Sequence, residues 1–512
     1  MRLTRYFNKP EVTTIATRIV IFVLIILGIA FRIAQFASDR SLWLDEAMLA
    51  LNIANRSFIG LTQPLDYNQG APIGFLLMQK LAILAIGNYD WVLRLIPLVA
   101  GITSVIMMYK AASIYLHKSG ALVAVALFAI SSRLIYYASE AKQYSSDVLI
   151  SLLILIFANK CLQAKVRPMH FIALIIGGIA AMWISHPALF TLIGAGSALL
   201  FDLISKKERH KLLWLGTLLL AWIASSAILY FTSLRSLSSN TALIDYWHQS
   251  FMPMPPWRDL AWFPNVFLGM FMNPVGLVGK STAIIGMIVS IVGLVSIFLN
   301  KRKNTILLLI PFLVVLLVSG LQKYPFGDRL LLFIVPLVFL FIGEGIERIS
   351  LILLKINPWA SVGTCLIITG LVFYEPTQLA FQNLSQPNMG EHIKPVIAYM
   401  RQHKLDTDYV YIYYSAFPAF VYYAPMYGLT KEDYYIGIAS RQEPGKYLVD
   451  MDRYNTGGRI WLVFSHNCFW CTVDEETYYV KYLDLIGAKL DEYRVPGASL
   501  YLYYIEPTKI SE

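Results

Sequence analysis

Long apolar runs without a charged residue are the feature that most limits how this chain can fold. Three clear examples are Ile19–Ala30, Leu212–Tyr230 and Thr305–Ser319. Each approaches the roughly 20 residues that a helix needs to cross a bilayer. The 512 residues are 57% hydrophobic and only 14% charged, whereas soluble globular chains are about 25% charged. The sequence therefore predicts a polytopic α-helical membrane protein.

The basic residues predict the orientation of the spans. The net charge of +10 comes from short Lys/Arg clusters between the apolar runs, such as Lys206–Lys211 and Lys301–Lys303, and not from one basic face suited to nucleic acid. If these clusters are cytoplasmic, the chain crosses the membrane about eleven times, with its N-terminus inside and its C-terminus outside. The predicted spans are 16–36, 91–116, 119–134, 143–160, 170–186, 187–204, 211–231, 281–299, 304–321, 329–347 and 358–375.

Two further apolar segments need separate interpretation. Counting Pro72–Gly87 as a span would invert every later loop, so we expect a helix that lies in the outer interface. The first run could be a cleaved signal peptide, but it is long and has no clear cleavage site. An uncleaved first span is the preferred interpretation. Residues 37–90 then form a long first outer loop.

The tail, residues 376–512, is predicted to be a small extracytoplasmic α/β domain that follows a transmembrane catalytic domain, residues 1–375. Three strand-like runs cover 409–415, 459–466 and 499–506, and helix-like segments lie near 416–426 and 475–485. Alternating strand and helix patterns of this kind are typical of α/β domains.

Two of the four cysteines stand close together in the tail. Cys468 and Cys471 occur in "NCFWC", and their outer location favours a disulfide. A zinc site would need more ligands than the neighbouring His466 supplies, and a free pair is the third alternative. No metal ligand set is predicted.

The stretch "SLWLDEAM", Ser41–Met48, places two adjacent carboxylates, Asp45 and Glu46, just after the first span. An ordinary solvated pair is the simplest interpretation. Trp43 and Leu44, however, direct the pair back towards the membrane surface, where a carboxylate can serve as a general base. Asp45 and Glu46 are therefore the predicted catalytic residues.

A second polar constellation opens the span near 143, in "YYASEAKQYSSD". Helical spacing would put Glu140, Tyr144 and Asp147 on one face. A carboxylate inside a span is costly and should face a cavity or a cation, and the nearest cations are Lys142 and Arg133. An interface-anchored helix end with solvated charges is the alternative.

Two more polar residues stand at predicted outer span ends. Arg329 follows a Pro-Phe-Gly turn in "YPFGDR", where it could snorkel to the interface or bind the phosphate of a lipid carrier. His186 in "SHPAL" is either a packing residue or part of a cavity lining. No P-loop, dinucleotide fingerprint, His-Glu-x-x-His or Gly-x-Ser-x-Gly motif is present, which disfavours nucleotide-driven pumps and soluble-type hydrolases.

These motifs together carry a family resemblance. The chain resembles the GT-C class of integral-membrane glycosyltransferases. The resemblance lies in the first span, in "LDE" in the first outer loop, and in "APIGFLLMQKLAILAIG", "YYASEAKQY" and "YPFGDRLLLFIVP". The likeness is to family-39-like enzymes such as protein O-mannosyltransferases and the lipid A aminoarabinose transferase. It covers roughly residues 15–205 well. Lys142 stands where the family usually has Arg.

The resemblance implies transfer of a sugar from a polyprenyl-phosphate carrier to a lipid, glycan or protein acceptor on the outer face. Asp45 would be the base for an inverting displacement. Lys142, Arg329 and Arg133 would stabilise the departing phosphate, and Glu140, Tyr144, Asp147 and His186 would line the substrate site. We expect a bacterial inner-membrane protein that binds no nucleic acid. No cofactor is assigned, and a divalent cation stays open.

Two other function classes remain open from the sequence. A transporter or flippase of lipid-linked sugars would place its ionisable residues near the bilayer midplane, whereas here they cluster at the predicted outer edge. A non-catalytic envelope assembly protein would keep the outer-loop charges solvated. Within the enzyme class, an oligosaccharide polymerase or ligase is a further alternative.

Overall fold

The structure is a computed structural model, and it describes residues 10–163, 168–206, 212–454, 457–467 and 474–506. It separates into two compact units. The first unit contains Met1–Ala37 and Arg56–Pro387, and the second contains Ser38–Asn55 and Asn388–Glu512.

The described residues up to Pro387 form helices and short turns. All of the helices in this stretch belong to the first unit except α2. In chain order they are α1 (Pro10–Ala37), α2 (Leu44–Asn55), α3 (Ile73–Ile86), α4 (Asp90–Tyr115), α5 (Lys118–Ile130), α6 (Ser132–Tyr137), α7 (Tyr144–Cys161), α8 (Pro168–Ile184), α9 (Ala188–Lys206), α10 (Leu212–Leu229), α11 (Arg235–Ser238), α12 (Thr241–Tyr246), α13 (Trp262–Met272), α14 (Lys280–Asn300), α15 (Arg302–Gly320), α16 (Val335–Leu354) and α17 (Pro358–Ser385).

Within the described residues, nine helical segments are long and apolar enough to cross a membrane. This confirms the polytopic membrane class. Nine of the eleven predicted spans coincide with these segments. The other two, 119–134 and 170–186, correspond to α5 and α8, which have 13 and 17 residues. The segment predicted to lie in the interface is the 14-residue helix α3.

Glycines let three helices of the first unit pack backbone to backbone. A Cβ on Gly293 of α14 would overlap the carbonyl oxygen of Phe341 in α16, and one on Gly345 would overlap the carbonyl oxygen of Val289. Gly343 approaches Gly120 of α5 in the same way. Small residues at such crossings are the usual means of close helix packing in membranes.

The second unit is an α/β domain that includes α2. Its other helices are α18 (Ile393–His403), α19 (Phe417–Tyr423), α20 (Gly445–Met451) and α21 (Glu475–Ile486), and its strands are β1 (Tyr409–Ile412), β2 (Tyr435–Ile436), β3 (Gly458–Ser465), β4 (Gly487–Val495) and β5 (Ala498–Ile505). The sheet order is β2-β1-β3-β5-β4, parallel across β2-β1-β3 and antiparallel across β3-β5-β4. β1, β3 and β5 are its buried strands.

The predicted strands and helices of the tail match this domain, but its boundaries differ from those expected. The predicted boundary at 375/376 falls inside α17, which continues to Ser385. Ser38–Asn55 also joins the domain from the far end of the sequence, because its contacts are with residues after Asn388. The edge strand β4, in which no residue is fully buried, was not predicted.

Candidate active site residues

Asp45 lies in the first turn of α2. The amide of Ala47 donates to the carbonyl of Trp43 at 2.9 Å, so Trp43 caps the helix and Asp45 is its second residue. The positive end of the helix dipole favours a negative charge here. The side chain of Asp45 is partly exposed, so a carboxylate at this position can meet a substrate.

Glu46, the neighbouring carboxylate, stabilises the N-terminus of α2. Both of its oxygens accept hydrogen bonds from the guanidinium of Arg40, at 2.8 and 3.4 Å. The amide of Trp43 donates to the same carboxylate at 3.3 Å, as in a capping box. Arg40 is 1% and Glu46 0% exposed. The two adjacent carboxylates therefore have different surroundings, and only Asp45 is accessible for chemistry.

Side chains from the C-terminal part of the second unit hold this segment, and sequence reasoning missed them. Glu391 accepts a hydrogen bond from the Leu44 amide at 3.0 Å, and its other oxygen is 2.5 Å from Nδ1 of His466. Nδ1 of His392 accepts from the Ser41 amide at 3.1 Å. These partners are about 350 positions away in the chain, and no motif marks them.

Lys142 lies in the turn that precedes α7 in the first unit. Its ammonium group donates to the side-chain oxygen of Gln69 at 2.5 Å, and both Glu140 and Lys142 are buried. The prediction that Glu140 shares a helix face with Tyr144 and Asp147 is wrong, because α7 begins only at Tyr144.

Arg329 reaches the start of α7 from the short 3-10 helix Asp328–Ile334. Its Nε donates to the Tyr144 hydroxyl at 3.0 Å, and its guanidinium lies 5.7 Å from the ring centre of Trp247. Burial raises the pKa of the nearby Tyr137 hydroxyl, and the carboxylates of Glu140 and Asp328 raise it further.

The structure thus collects four of the predicted residues. Glu140, Lys142, Tyr144 and Arg329 all belong to the neighbourhood of the α7 N-terminus. An Arg and a Lys on a partly buried surface provide the donors that a phosphate prefers.

Three predicted residues remain: Asp147, His186 and Arg133. Asp147 is buried in the first turn of α7, near Ser185. His186 is partly buried in the turn between α8 and α9. Arg133 is in α6, close to Gly276.

The described residues contain no group of three or more His, Cys, Asp or Glu side chains arranged to hold a metal ion. Cys468 and Cys471 lie outside the described residues, so their disulfide stays a prediction. Cys161 is buried and Cys365 is partly exposed, and neither is in a disulfide.

Comparison with known families gives one match. Residues 70–246 match the family "Dolichyl-phosphate-mannose-protein mannosyltransferase". The matched region includes the Glu140–Tyr144 motif and Gln69's neighbour Gly70. No curated protein sequence matches the chain.

Solved structures similar to the chain are membrane proteins of one architecture. ArnT from Cupriavidus metallidurans bound to undecaprenyl phosphate superposes with a TM-score of 0.54 at 11% identity, covering 96% of this chain and 98% of ArnT. The oligosaccharyltransferase of Archaeoglobus fulgidus in its apo form gives 0.52 at 13% identity, covering 99% and 76%. Both are GT-C glycosyltransferases. At such identities the likeness shows the fold.

Proposed function

We propose that this chain, an integral-membrane protein of the GT-C glycosyltransferase class, transfers a sugar from a polyprenyl-phosphate carrier to an acceptor hydroxyl. The acceptor is a lipid, a glycan or a protein at the extracytoplasmic face. The observation that carries the proposal is the hydrogen bond between Arg329 and Tyr144, two residues from Lys142, within a chain of this fold.

Arg329 and Lys142 are assigned to the phosphate of the carrier. The guanidinium offers a planar fork, and Nε alone is used by Tyr144, whereas Lys142 acts as a point charge. Phosphate is negative before and after transfer, so these residues bind the donor and also stabilise the charge that develops as the lipid phosphate departs. The ArnT structure with bound undecaprenyl phosphate supports a carrier of this chemical kind.

Asp45 is assigned as the general base that accepts the proton of the acceptor hydroxyl. The acceptor oxygen forms a bond to the anomeric carbon while the bond from that carbon to the phosphate oxygen breaks. The electron pair of the broken bond leaves with the lipid phosphate, and Asp45 takes the acceptor's proton. A single displacement inverts the anomeric centre. Glu46 holds the first turn of α2 through Arg40 and the Trp43 amide.

Substitution of each group separates binding from chemistry. Asp45→Asn preserves size and loses basicity, and a positioned base contributes about 10²–10⁴-fold, so transfer should fall by that factor with carrier binding unchanged. Lys142→Ala and Arg329→Ala should weaken both binding and turnover. The measurements are affinity for sugar-free polyprenyl phosphate with purified protein, and transfer in membranes supplied with labelled polyprenyl-phospho-sugars.

Two matched variants serve as controls. Asp39→Asn removes a carboxylate from the same segment, and Arg302→Ala removes a cation at the start of α15, so both should stay near wild type. Retention of full transfer by Asp45→Asn would favour a non-catalytic assembly role. Movement of lipid-linked sugar across vesicles without any transfer would favour the flippase alternative.

A further inference from the structure

A cleft in the first unit is not used by the mechanism above. It is an open cleft between the segment 61–76 and the segment 232–240, and its empty space, open solvent included, is about 490 Å³. Its lining is Leu61, Gln63, Pro64, Leu65, Gln69, Gly70, Ala71, Ile73, Leu76, Thr232, Ser233, Ser236, Leu237 and Asn240.

The residues that line the cleft are polar or apolar but not ionisable. None of the 14 residues that line the cleft is ionisable, and six of them carry an amide or a hydroxyl group. Amides and hydroxyls both donate and accept hydrogen bonds, as sugar hydroxyls do, and leucine side chains can pack against the C–H face of a sugar ring. A carboxylate or ammonium group placed here would be desolvated without an opposite charge among these lining residues, which is costly.

The walls of the cleft depart from regular backbone geometry. Tyr67 and Asn68 both adopt left-handed conformations, with φ of 61° and 53°. Asn68 accepts a hydrogen bond from Asn240 at 2.9 Å, which ties one wall to the other. Tyr230–Leu234 forms a π-helical turn. Strained residues and π turns of this kind concentrate at ligand-binding sites.

Gln69 connects the cleft to the predicted phosphate ligand. It lines the cleft, and its side-chain oxygen accepts from Lys142 at 2.5 Å. In a polyprenyl-phospho-sugar the sugar is bonded directly to the phosphate. A phosphate at Lys142 would therefore have its sugar within one side chain's length of the cleft.

We propose that this cleft binds the sugar of the donor, and that the sugar is uncharged. The inference rests on the proposed function, because it assumes a phosphate at Lys142, and it adds the substrate class. The uncharged lining favours a neutral sugar over an acidic or amino sugar.

The test compares lipids that differ only in the sugar. The probes are one polyprenyl phosphate without a sugar, the same lipid carrying glucose, galactose or mannose, and the same lipid carrying glucuronic acid or an amino sugar. Ser236→Phe fills the cleft from an exposed position, and Ser239→Phe places the same ring three residues later, outside the lining.

The wild type should bind at least one neutral-sugar lipid about tenfold tighter than the sugar-free lipid, the effect of one or two net hydrogen bonds, and should show no such gain for the charged sugars. Ser236→Phe should remove the gain in affinity and leave sugar-free binding unchanged, while Ser239→Phe should keep the gain.

Each of three results would overturn the proposal. In the first, a charged sugar binds as well as the neutral ones. In the second, Ser236→Phe weakens sugar-free binding equally, as it would if the cleft held the lipid tail. In the third, Ser236→Phe changes only the KM for the acceptor. Failure of the wild type to bind any of the lipids would instead refute the proposed function.

Discussion

The hydroxyl of Tyr144 accepts a hydrogen bond from Nε of Arg329 at 3.0 Å, which joins residues 185 positions apart. Tyr144 begins α7, and Arg329 stands at the start of the 3-10 helix Asp328–Ile334. The contact fixes the orientation of the guanidinium, so Tyr144 is expected to act as a positioning residue for Arg329.

Tyr144→Phe should lower affinity for sugar-free polyprenyl phosphate by about fivefold, the value of one net hydrogen bond. Arg329→Lys should lower it further, because an ammonium group cannot reproduce the fork. In the Tyr144→Phe background, Arg329→Lys should cost less than it does alone, since the orientation is already lost. Equal costs in both backgrounds would show that the two residues act independently.

Glu46→Gln should destabilise the protein while Asp45→Asn should not. Removing one partner of a buried ion pair costs about 3–5 kcal/mol because the other charge stays buried. The paired replacement Arg40→Met with Glu46→Gln should recover part of that loss. Thermal unfolding of the purified variants measures this. If Glu46→Gln were as stable as wild type and inactive, Glu46 would instead belong to the chemistry.

Glu391 should act as a positioning residue for Asp45. Its carboxylate joins the Leu44 amide to His466, so Glu391→Gln keeps the shape and weakens both bonds. The expected result is a lower kcat with little change in KM or in carrier affinity. A loss of thermal stability with kcat intact would indicate a structural role only.

The sequence predicted the parts of this molecule that depend on local pattern. Uncharged runs identified the spans, and short apolar runs identified β1, β3 and β5. The pair Asp45–Glu46 stood out because carboxylates are rare beside a span. Nothing local could separate the two, since their difference comes from Arg40 in the folded segment and from burial.

Long-range contacts account for what the sequence missed. Glu391 and Gln69 belong to no motif, and their roles arise from a helix N-terminus and a lysine far away in the chain. Glu140 was placed on one helix face with Tyr144 and Asp147 because it fits helical spacing, although α7 begins only at Tyr144. The second unit's discontinuity at Ser38–Asn55 has the same origin.

The second unit should lose stability in alkaline solution. Burial raises the pKa of Tyr411, Tyr413 and Tyr479 above the ordinary value of 10.0. The protonated hydroxyls are favoured in the fold, so this stability is complete below pH 10 and is lost as the pH rises above it. Hydrogen exchange of peptides from 409–505 in the full chain measures the loss. In Tyr411→Phe the dependence on pH should be shallower by about one proton. An unchanged slope would show that the pKa of Tyr411 is the same in the folded and unfolded states.

Substituting alanine for glycine should have opposite effects on two helices of the first unit. In Gly293→Ala the new methyl group would overlap the Phe341 carbonyl oxygen of α16, and overpacking of this kind costs about 1–3 kcal/mol. A Cβ on Gly363 of α17 would have no other atom within 4 Å. Gly363→Ala should therefore be neutral or stabilise the helix by about 0.5–1 kcal/mol. Thermal unfolding in one detergent compares the two. If both variants unfold at the wild-type temperature, α14 and α16 do not approach each other through Gly293, and the backbone crossing described above is wrong at that point.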